Sequence, residues 1–344
     1  VELHAAVWQP AALLLLMPLM AAVDVTVHEL GHLAAGALSG LRFERLCLGP
    51  LLVRRLGDGW GVSLHGSLLL EGGFVSMIPT RERGLRTSLL LMAIGGPAAS
   101  LSLWAAAAWA ATVSPTWYHP LMMLAAWALF TCAGNAWPMR AGGGATDGAL
   151  ALDLIMGTRT GQRYCALAAL AMAETTPLRP RDWKPEWLAL ARSGGTATPE
   201  VLTGWLLTHV HQLDCGDVRG AGESLEEAVS LARRLPELLV TRHVRLAQAW
   251  FEAVHRRSPE RARDALEMAE FGLPVERWVL RRVEAAVLAA EEDSCCALGA
   301  LATAERALQR APGSGMIEFE RDRLRETQAL LPAGVAACAH PARS

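Results

Sequence analysis

The feature that most constrains this chain is the stretch HELGH at residues 28–32, which lies near the end of a long apolar run. Residues four apart lie on one face of a helix, so His28 and His32 would present their imidazoles side by side, spaced to bind one zinc ion. Glu29 falls on the adjacent surface, where its carboxylate can act on water at the metal. The alternative is a chance match in which both histidines only pack or face solvent.

The apolar run before the motif predicts a membrane segment. Residues 5–23 are long enough and apolar enough to enter a bilayer. A cleaved signal peptide is the alternative, but residues 1–10 contain no lysine or arginine, which such a peptide needs at its start. The apolar pattern continues to about residue 38, so we expect a tilted helix or two segments interrupted near Pro18. Ionisable groups at this depth, including Asp24, indicate function.

Two later apolar segments, residues 87–113 and 121–137, predict further membrane spans. Arginines are concentrated in residues 40–86 and again beyond residue 140, whereas the loop between the two spans has no lysine or arginine. The positive-inside rule then places the arginine-rich parts in the cytoplasm. A fourth span within residues 149–172 is left open.

Residues 41–80 are too polar to cross a bilayer and predict two or three short strands with glycine turns. We expect this small β region to lie at the membrane surface beside the zinc motif. An edge strand within residues 60–78 could then hold a substrate in an extended form by strand addition.

A catalytic zinc site usually has three protein ligands and one open position. Asp147 is the candidate for the third ligand, because it follows Pro138 and a glycine-rich stretch. Such residues break a helix, and irregular backbone is tolerated at membrane depth where it lines a cavity. The alternative is that Asp147 only caps the helix that starts at Gly148. Spacing alone leaves both interpretations open.

Four motifs in one order carry a resemblance to a known family. HELGH in an N-terminal membrane segment is followed by GGFV at residues 72–75, GGPAAS at 95–100, and NAWP with a later TDG within 135–148. Together they resemble the site-2 protease family of intramembrane zinc metalloproteases, over residues 5–155 approximately.

This resemblance implies a set of roles. It makes His28, His32 and Asp147 the zinc ligands and Glu29 the general base. It also implies that Asn135 helps to hold the substrate or the oxyanion. Two departures are visible: the spacer before Asp-Gly is longer than in many members and ends in Thr146, and Ser100 stands where many members have asparagine.

The second half of the chain has a different character, because residues 173–344 hold most of the glutamates and arginines. A proline-containing stretch at 173–198 predicts a linker, and residues 333–344 predict a loose tail. Residues 199–332 predict helical hairpins whose turns, marked by Gly216, Ser258 and Ser294, recur at roughly the tetratricopeptide period. This part resembles a tetratricopeptide-like array, with an irregular helical bundle as the alternative.

Composition excludes several classes of function. The net charge is −2 and no basic stripe with aromatic residues occurs, so no nucleic-acid partner is expected. The seven cysteines include no CxxC pair, which argues against a disulfide framework or a cysteine–zinc site. Of the 32 basic residues only Lys184 is a lysine, which we interpret as the codon bias of a GC-rich bacterial genome.

The sequence therefore predicts a mainly α protein with two parts. Residues 1–172 form a polytopic transmembrane helical metalloprotease core with a small membrane-associated β region, and residues 199–332 form a soluble, cytoplasmic α-helical hairpin-repeat domain. The expected activity is that of a zinc metalloendopeptidase of the bacterial inner membrane, with one Zn²⁺ per chain. Its partners would be the lipid bilayer, a membrane-embedded or membrane-associated protein substrate, and a cytoplasmic protein bound by the helical domain.

Two alternatives to this function remain. The first is a catalytically idle relative that serves as a scaffold or in peptide export and binds partners through its helical repeats. The second is a soluble zinc protease with a cleaved leader, which would need a downstream glutamate ligand on another soluble helix.

Overall fold

The computed structural model describes residues 10–56, 59–64, 72–141, 144–235, 239–269 and 275–332. The chain divides into two compact units, residues 1–168 and 169–344. Residues 5–9 of the first predicted span and the predicted tail at 333–344 lie outside the described residues.

The described part of the first unit contains four complete helices. They are α1 (Pro10–Leu38), α2 (Leu85–Val113), α3 (Tyr118–Ala136) and α4 (Asp147–Met156). Helix α1 is continuous through Pro18, so of the two expected forms, one tilted helix or two segments interrupted near Pro18, the interrupted form is wrong. A proline inside a helix removes one backbone hydrogen bond, and the helix can bend at that point without ending.

A four-stranded antiparallel sheet connects α1 to α2. Its strands are β1 (Leu41–Leu48), β2 (Leu51–Leu56), β3 (Gly59–Leu64) and β4 (Gly73–Pro79), in the order β3-β2-β1-β4. The predicted β region is thus present, with four strands where two or three were expected. In the register of the sheet, Leu46 lies opposite Val53 of β2 and Val75 of β4. Strand β4 is one of the two edges and packs against α1.

Helices α1 and α2 run antiparallel and cross at glycines. A Cβ at Gly31 would clash with the backbone of Gly95 and with Ala99, and a Cβ at Gly95 would clash with Ala35. The backbones can approach this closely because neither glycine carries a side chain. Near the end of the contact, Ser88 Oγ donates to Ser39 O over 2.7 Å.

The predicted break after the third apolar segment is confirmed. Helix α3 ends at Ala136, Pro138 follows, and a short hairpin of β5 (Arg140–Ala141) and β6 (Gly144–Ala145) leads to α4. Helix α4 ends at Met156 and is capped by Gly157, whose φ of +65° suits glycine. Helix α5 (Arg159–Glu174) then begins, so two helices cover residues 149–172, the stretch left open as a fourth span.

The second unit is helical throughout its described part. After the end of α5 come α6 (Pro185–Ala191), α7 (Pro199–Asp214), α8 (Val218–Ala232), α9 (Leu239–Val254), α10 (Pro259–Glu267), α11 (Arg277–Ala290), α12 (Ser294–Gln309) and α13 (Gly315–Gln328). Its hydrophobic core includes Trp250 and Phe251. Of the three landmarks, Gly216 and Ser258 lie in turns between paired helices, and Ser294 is the first residue of α12, directly after such a turn. The tetratricopeptide-like assignment itself stays a prediction, as does the domain boundary. The predicted linker holds α6 and the buried Trp183.

One helix among the described residues, α2, is long and apolar enough to cross a membrane. It coincides with the predicted span at 87–113. The multi-pass arrangement, which also needs spans from α1 and α3, stays a prediction.

Candidate metal centre

The two histidines of HELGH lie on one face of α1, as their spacing predicts. His28 and His32 are each 6% exposed, and their Nε2 atoms are 3.1 Å apart. Their rings stand nearly perpendicular, with an interplanar angle of 83°. The face they share is directed into the first unit and away from its surface.

Asp147, the first residue of α4, meets both imidazoles. Its Oδ2 lies 3.1 Å from Nε2 of His28 and 3.3 Å from Nε2 of His32. The three side chains form a group that can hold a metal ion, and they come from helices more than a hundred residues apart in the chain. The structure therefore brings together the three predicted ligands.

Backbone and side-chain groups of α2 orient the two rings. The carbonyl oxygen of Met92 is 2.7 Å from Nδ1 of His32. Because a carbonyl oxygen can only accept, this nitrogen carries a hydrogen and donates a hydrogen bond to it. Nδ1 of His28 is 3.1 Å from Oγ of Ser100. In both rings, Nδ1 contacts a group of α2, and Nε2 therefore faces Asp147. This is how metal-binding histidines are commonly held.

Gly96 makes room for the cluster on the opposite helix. A Cβ at this position would lie 2.7 Å from Nε2 of His28 and closer still to Nε2 of His32. Met92, Gly96 and Ser100 are spaced by four, which places them on one face of α2 against the matching face of α1. The wall beside the imidazoles is therefore bare backbone.

Asp147 is directed at the histidines because a neighbouring residue caps the helix. Thr146 is the N-cap of α4, and its Oγ1 accepts from the amide of Ala149. The interpretation of Asp147 as the cap is therefore wrong, since Thr146 takes that position one residue earlier. Gly148 packs against the backbone of Ala136 so closely that a Cβ there would clash, which holds the start of α4 against the end of α3.

The far end of α4 is held from α2. The guanidinium of Arg86 donates to Leu154 O through Nε and to Ile155 O through Nη2. A cation at the carboxyl end of a helix satisfies free carbonyls and complements the helix dipole. Asp153 adds a second link, because its carboxylate accepts from Arg140 and from Thr158. The position of Asp147 is thus fixed at both ends of its helix.

Glu29 lies beside the cluster and against strand β4. It is 7% exposed, and its carboxylate lies near the backbone of Val75. A Cβ at Gly73 would lie 2.8 Å from Cγ of Glu29 and 2.7 Å from Val25. The edge strand and the predicted general base are therefore immediate neighbours.

Asn135 is placed in the last turn of α3. Its Nδ2 donates to Thr131 O, one turn earlier in the same helix, over 3.2 Å. Within the described ranges, no hydrogen bond joins Asn135 to the two histidines or to Asp147. The predicted role of Asn135 toward substrate stays a prediction.

The residues of α2 that hold the imidazoles were not predicted as functional. GGPAAS was one of the four motifs of the family resemblance. Ser100 was noted only because many members of that family have asparagine at this position. The signal that could have found them is the four-residue spacing of Met92, Gly96 and Ser100. Arg86 had no comparable signal, because its partners are backbone carbonyls distant in sequence.

The donor set fits zinc. Two imidazole nitrogens and a carboxylate oxygen are common zinc ligands, and tetrahedral zinc at its usual bond lengths sets its ligand atoms about 3.3 Å apart. The three atoms here are 3.1–3.3 Å apart. With Nδ1 of His32 protonated by its contact with a carbonyl oxygen, Nε2 of His32 is an acceptor like Oδ2 of Asp147, and the two need a cation or a proton between them.

Comparison with known proteins gives one family match. The model of Peptidase family M50 matches residues 16–307, which include the metal centre and extend beyond the resemblance at 5–155. No curated protein and no solved structure matches the chain. The match covers most of the chain, and the chain therefore belongs to peptidase family M50, the site-2 protease family.

Proposed function

We propose that the chain is an intramembrane zinc metalloendopeptidase that binds one Zn²⁺ through His28, His32 and Asp147. It would cleave a peptide bond in a membrane-embedded or membrane-associated protein, in regulated intramembrane proteolysis or in peptide maturation. The observation that carries the proposal is the convergence of three metal-ligand atoms 3.1–3.3 Å apart beside a buried glutamate.

The chemistry is divided between the metal and the chain. Zinc, when bound, lowers the pKa of water and polarises the scissile carbonyl. Glu29 accepts the proton of the attacking water and returns it to the leaving amine, because its carboxylate is next to the ligand cluster. Asn135 is proposed to help hold the substrate carbonyl through its side-chain amide.

The distribution of polarity in α1 supports a membrane location. Asp24, His28 and Glu29 are buried, whereas Leu15 is 81% exposed and Leu38 is 91% exposed. A helix of a soluble protein shows the opposite arrangement, with apolar residues inside and ionisable ones in water. Large exposed apolar side chains also lie on α2 and α3, among them Trp109, Leu129 and Phe130. Lipid is the solvent that favours this arrangement.

We further propose a multi-pass protein of the bacterial inner membrane whose second unit is cytoplasmic. The argument is the excess of arginine in residues 40–86 and beyond 140. Residues 199–332 would then offer a cytoplasmic surface to a protein partner or to the soluble tail of a substrate, as helical arrays do.

The substrate is proposed to bind along β4. A peptide bond within a helix is already hydrogen-bonded, so the substrate has to be extended before it can be cut. Among the described strands, β4 pairs only with β1. The other edge of β4 faces α1 and Glu29. An extended segment added at this edge would run past the proposed general base.

The test uses the full chain purified in detergent. Wild type is expected to contain about one zinc per chain, and Asp147→Ala much less, by elemental mass spectrometry. Glu29→Gln should keep its zinc, lose cleavage and co-purify with an uncut substrate. Unchanged zinc in Asp147→Ala would refute the ligand assignment. A zinc-loaded wild type that leaves the trapped protein intact would favour the idle scaffold instead.

A further inference from the structure

A buried carboxylate lies next to the metal centre and has no part in the ligand set. Asp24 is one helical turn before His28 on the same face of α1, and it is fully buried. Its Oδ1 accepts a hydrogen bond from Oγ of Ser100 over 3.0 Å. Among the described residues its Oδ2 has no hydrogen-bond partner.

Ser100 joins this carboxylate to the histidine. The same Oγ that donates to Asp24 lies 3.1 Å from Nδ1 of His28, and Ser100 is fully buried. A serine hydroxyl has one proton. Because that proton goes to Asp24, the oxygen can only accept from His28, and Nδ1 of His28 must carry the hydrogen. The lone pair of this ring is thereby left on Nε2, the atom that faces Asp147.

The carboxyl group of Asp24 has one hydrogen bond, at Oδ1, in its buried position. A buried carboxylate with one hydrogen bond is costly unless a positive charge is near. No arginine or lysine among the described residues forms an ion pair with Asp24. A cation held at Nε2 of His28 would polarise the imidazole, and its Nδ1–H and the serine hydroxyl would carry that polarisation to Asp24.

We propose that Asp24 and Ser100 are positioning residues for zinc, acting as one unit through the hydrogen-bonded series Asp24–Ser100–His28. The inference rests on the proposed metal site and deepens it. Asp24 orients the serine hydroxyl, and the serine fixes both the tautomer and the rotation of the His28 ring. His32 has no such unit, because the backbone carbonyl of Met92 holds its Nδ1.

The test is a double-mutant cycle on the full chain in detergent, with zinc affinity measured by competition with a chelator. Asp24→Asn and Ser100→Ala should each weaken zinc binding roughly 10- to 100-fold, as other changes behind metal-bound histidines do. The double variant should be no weaker than the worse single variant, because each change breaks the same series. The electronic spectrum of Co²⁺ bound in place of zinc should change in both single variants, reporting altered ligand geometry.

Ser102→Ala is the matched control on α2. The hydroxyl of Ser102 is exposed and donates to Ala98 O in its own helix, so zinc affinity and the Co²⁺ spectrum should equal those of wild type. Wild-type zinc affinity in Asp24→Asn and Ser100→Ala would overturn the series while leaving the proposed function intact. Additive losses with an unchanged Co²⁺ spectrum would also overturn it, since they indicate two independent packing defects. Absence of zinc from wild type would overturn the proposed function and this inference together.

Discussion

Gly96 lies directly against His28, so that a Cβ on Gly96 would stand 2.7 Å from the Nε2 that faces Asp147. Real Cβ atoms are not found this close to another heavy atom. A methyl group here has to push one or both imidazoles away from the position that the ligand set requires.

Gly96→Ala is therefore expected to reduce zinc content to a small fraction of wild type and to abolish cleavage. Elemental analysis of the purified full chain measures the first effect. Gly134→Ala is the matched control, because Gly134 lies inside α3 with no atom within 4 Å of a built Cβ. The control should keep its zinc and gain up to about 1 kcal/mol of helix stability. Equal zinc in both variants would contradict the tight fit.

Arg86 gives a second prediction, because it holds the helix that carries Asp147. Removing the guanidinium in Arg86→Ala leaves the carbonyls of Leu154 and Ile155 without this donor. A hydrogen bond to a charged group typically contributes about 1.5–3 kcal/mol, and the lower end applies here because Arg86 is exposed. Because the loosened helix carries Asp147, we expect a roughly tenfold weaker zinc affinity, measured by chelator competition.

The control for Arg86 is Arg83→Ala, which removes an exposed arginine just before α2. It should bind zinc as wild type does. If Arg86→Ala matched Arg83→Ala, the amino end of α4, with its Thr146 cap, would be sufficient to position Asp147.

The proposed substrate edge gives a third prediction. Replacing residues 74–76 of β4 with prolines removes backbone donors and should cut cleavage strongly while sparing zinc. Val62→Pro on β3, the opposite edge of the sheet, is the control and should keep most activity. Cleavage of a membrane substrate and zinc content are measured on the same samples. Unchanged cleavage after the 74–76 replacement would rule out strand addition at β4.

The sequence predicted the elements of the centre better than their supports. The spacing of His28 and His32 defines one helix face, and the break near Pro138 indicates where a third ligand can return. The alignment of α1 along α2 could not be predicted from such spacings. It depends on the close approach of Gly31 and Gly95, residues 64 apart, and that approach places Ser100 beside Asp24.

The fold of the second unit shows the same limit. Turn residues such as Gly216 predicted the helical hairpins of this unit, because glycine accepts the φ of +80° found at Gly216. The fate of buried polar groups was not visible in the sequence. His209 is an example, because the structure buries it among the helical hairpins.

His209 gives the last prediction, which concerns pH. Its Nδ1 donates to Ala221 O over 2.9 Å, its ring contacts Phe251, and burial lowers its pKa to about 4. In the unfolded chain a histidine has a pKa of about 6.5. Between these two values the unfolded state binds the proton and the folded state does not. The contribution of His209 to the free energy of unfolding is therefore fully present above about pH 6.5. It decreases as the pH falls toward 4, by at most about 3 kcal/mol.

Hydrogen exchange of α7 and α8 in the full chain measures this effect locally. Wild type should show an opening free energy that decreases from pH 7 to pH 4.5, after correction for intrinsic exchange rates. His209→Gln removes the titrating group, so its opening free energy should start lower and depend less on pH. A variant as pH-dependent as wild type would place the acid sensitivity elsewhere. His255, whose pKa is also lowered to about 4 by burial, would then be the group to replace next.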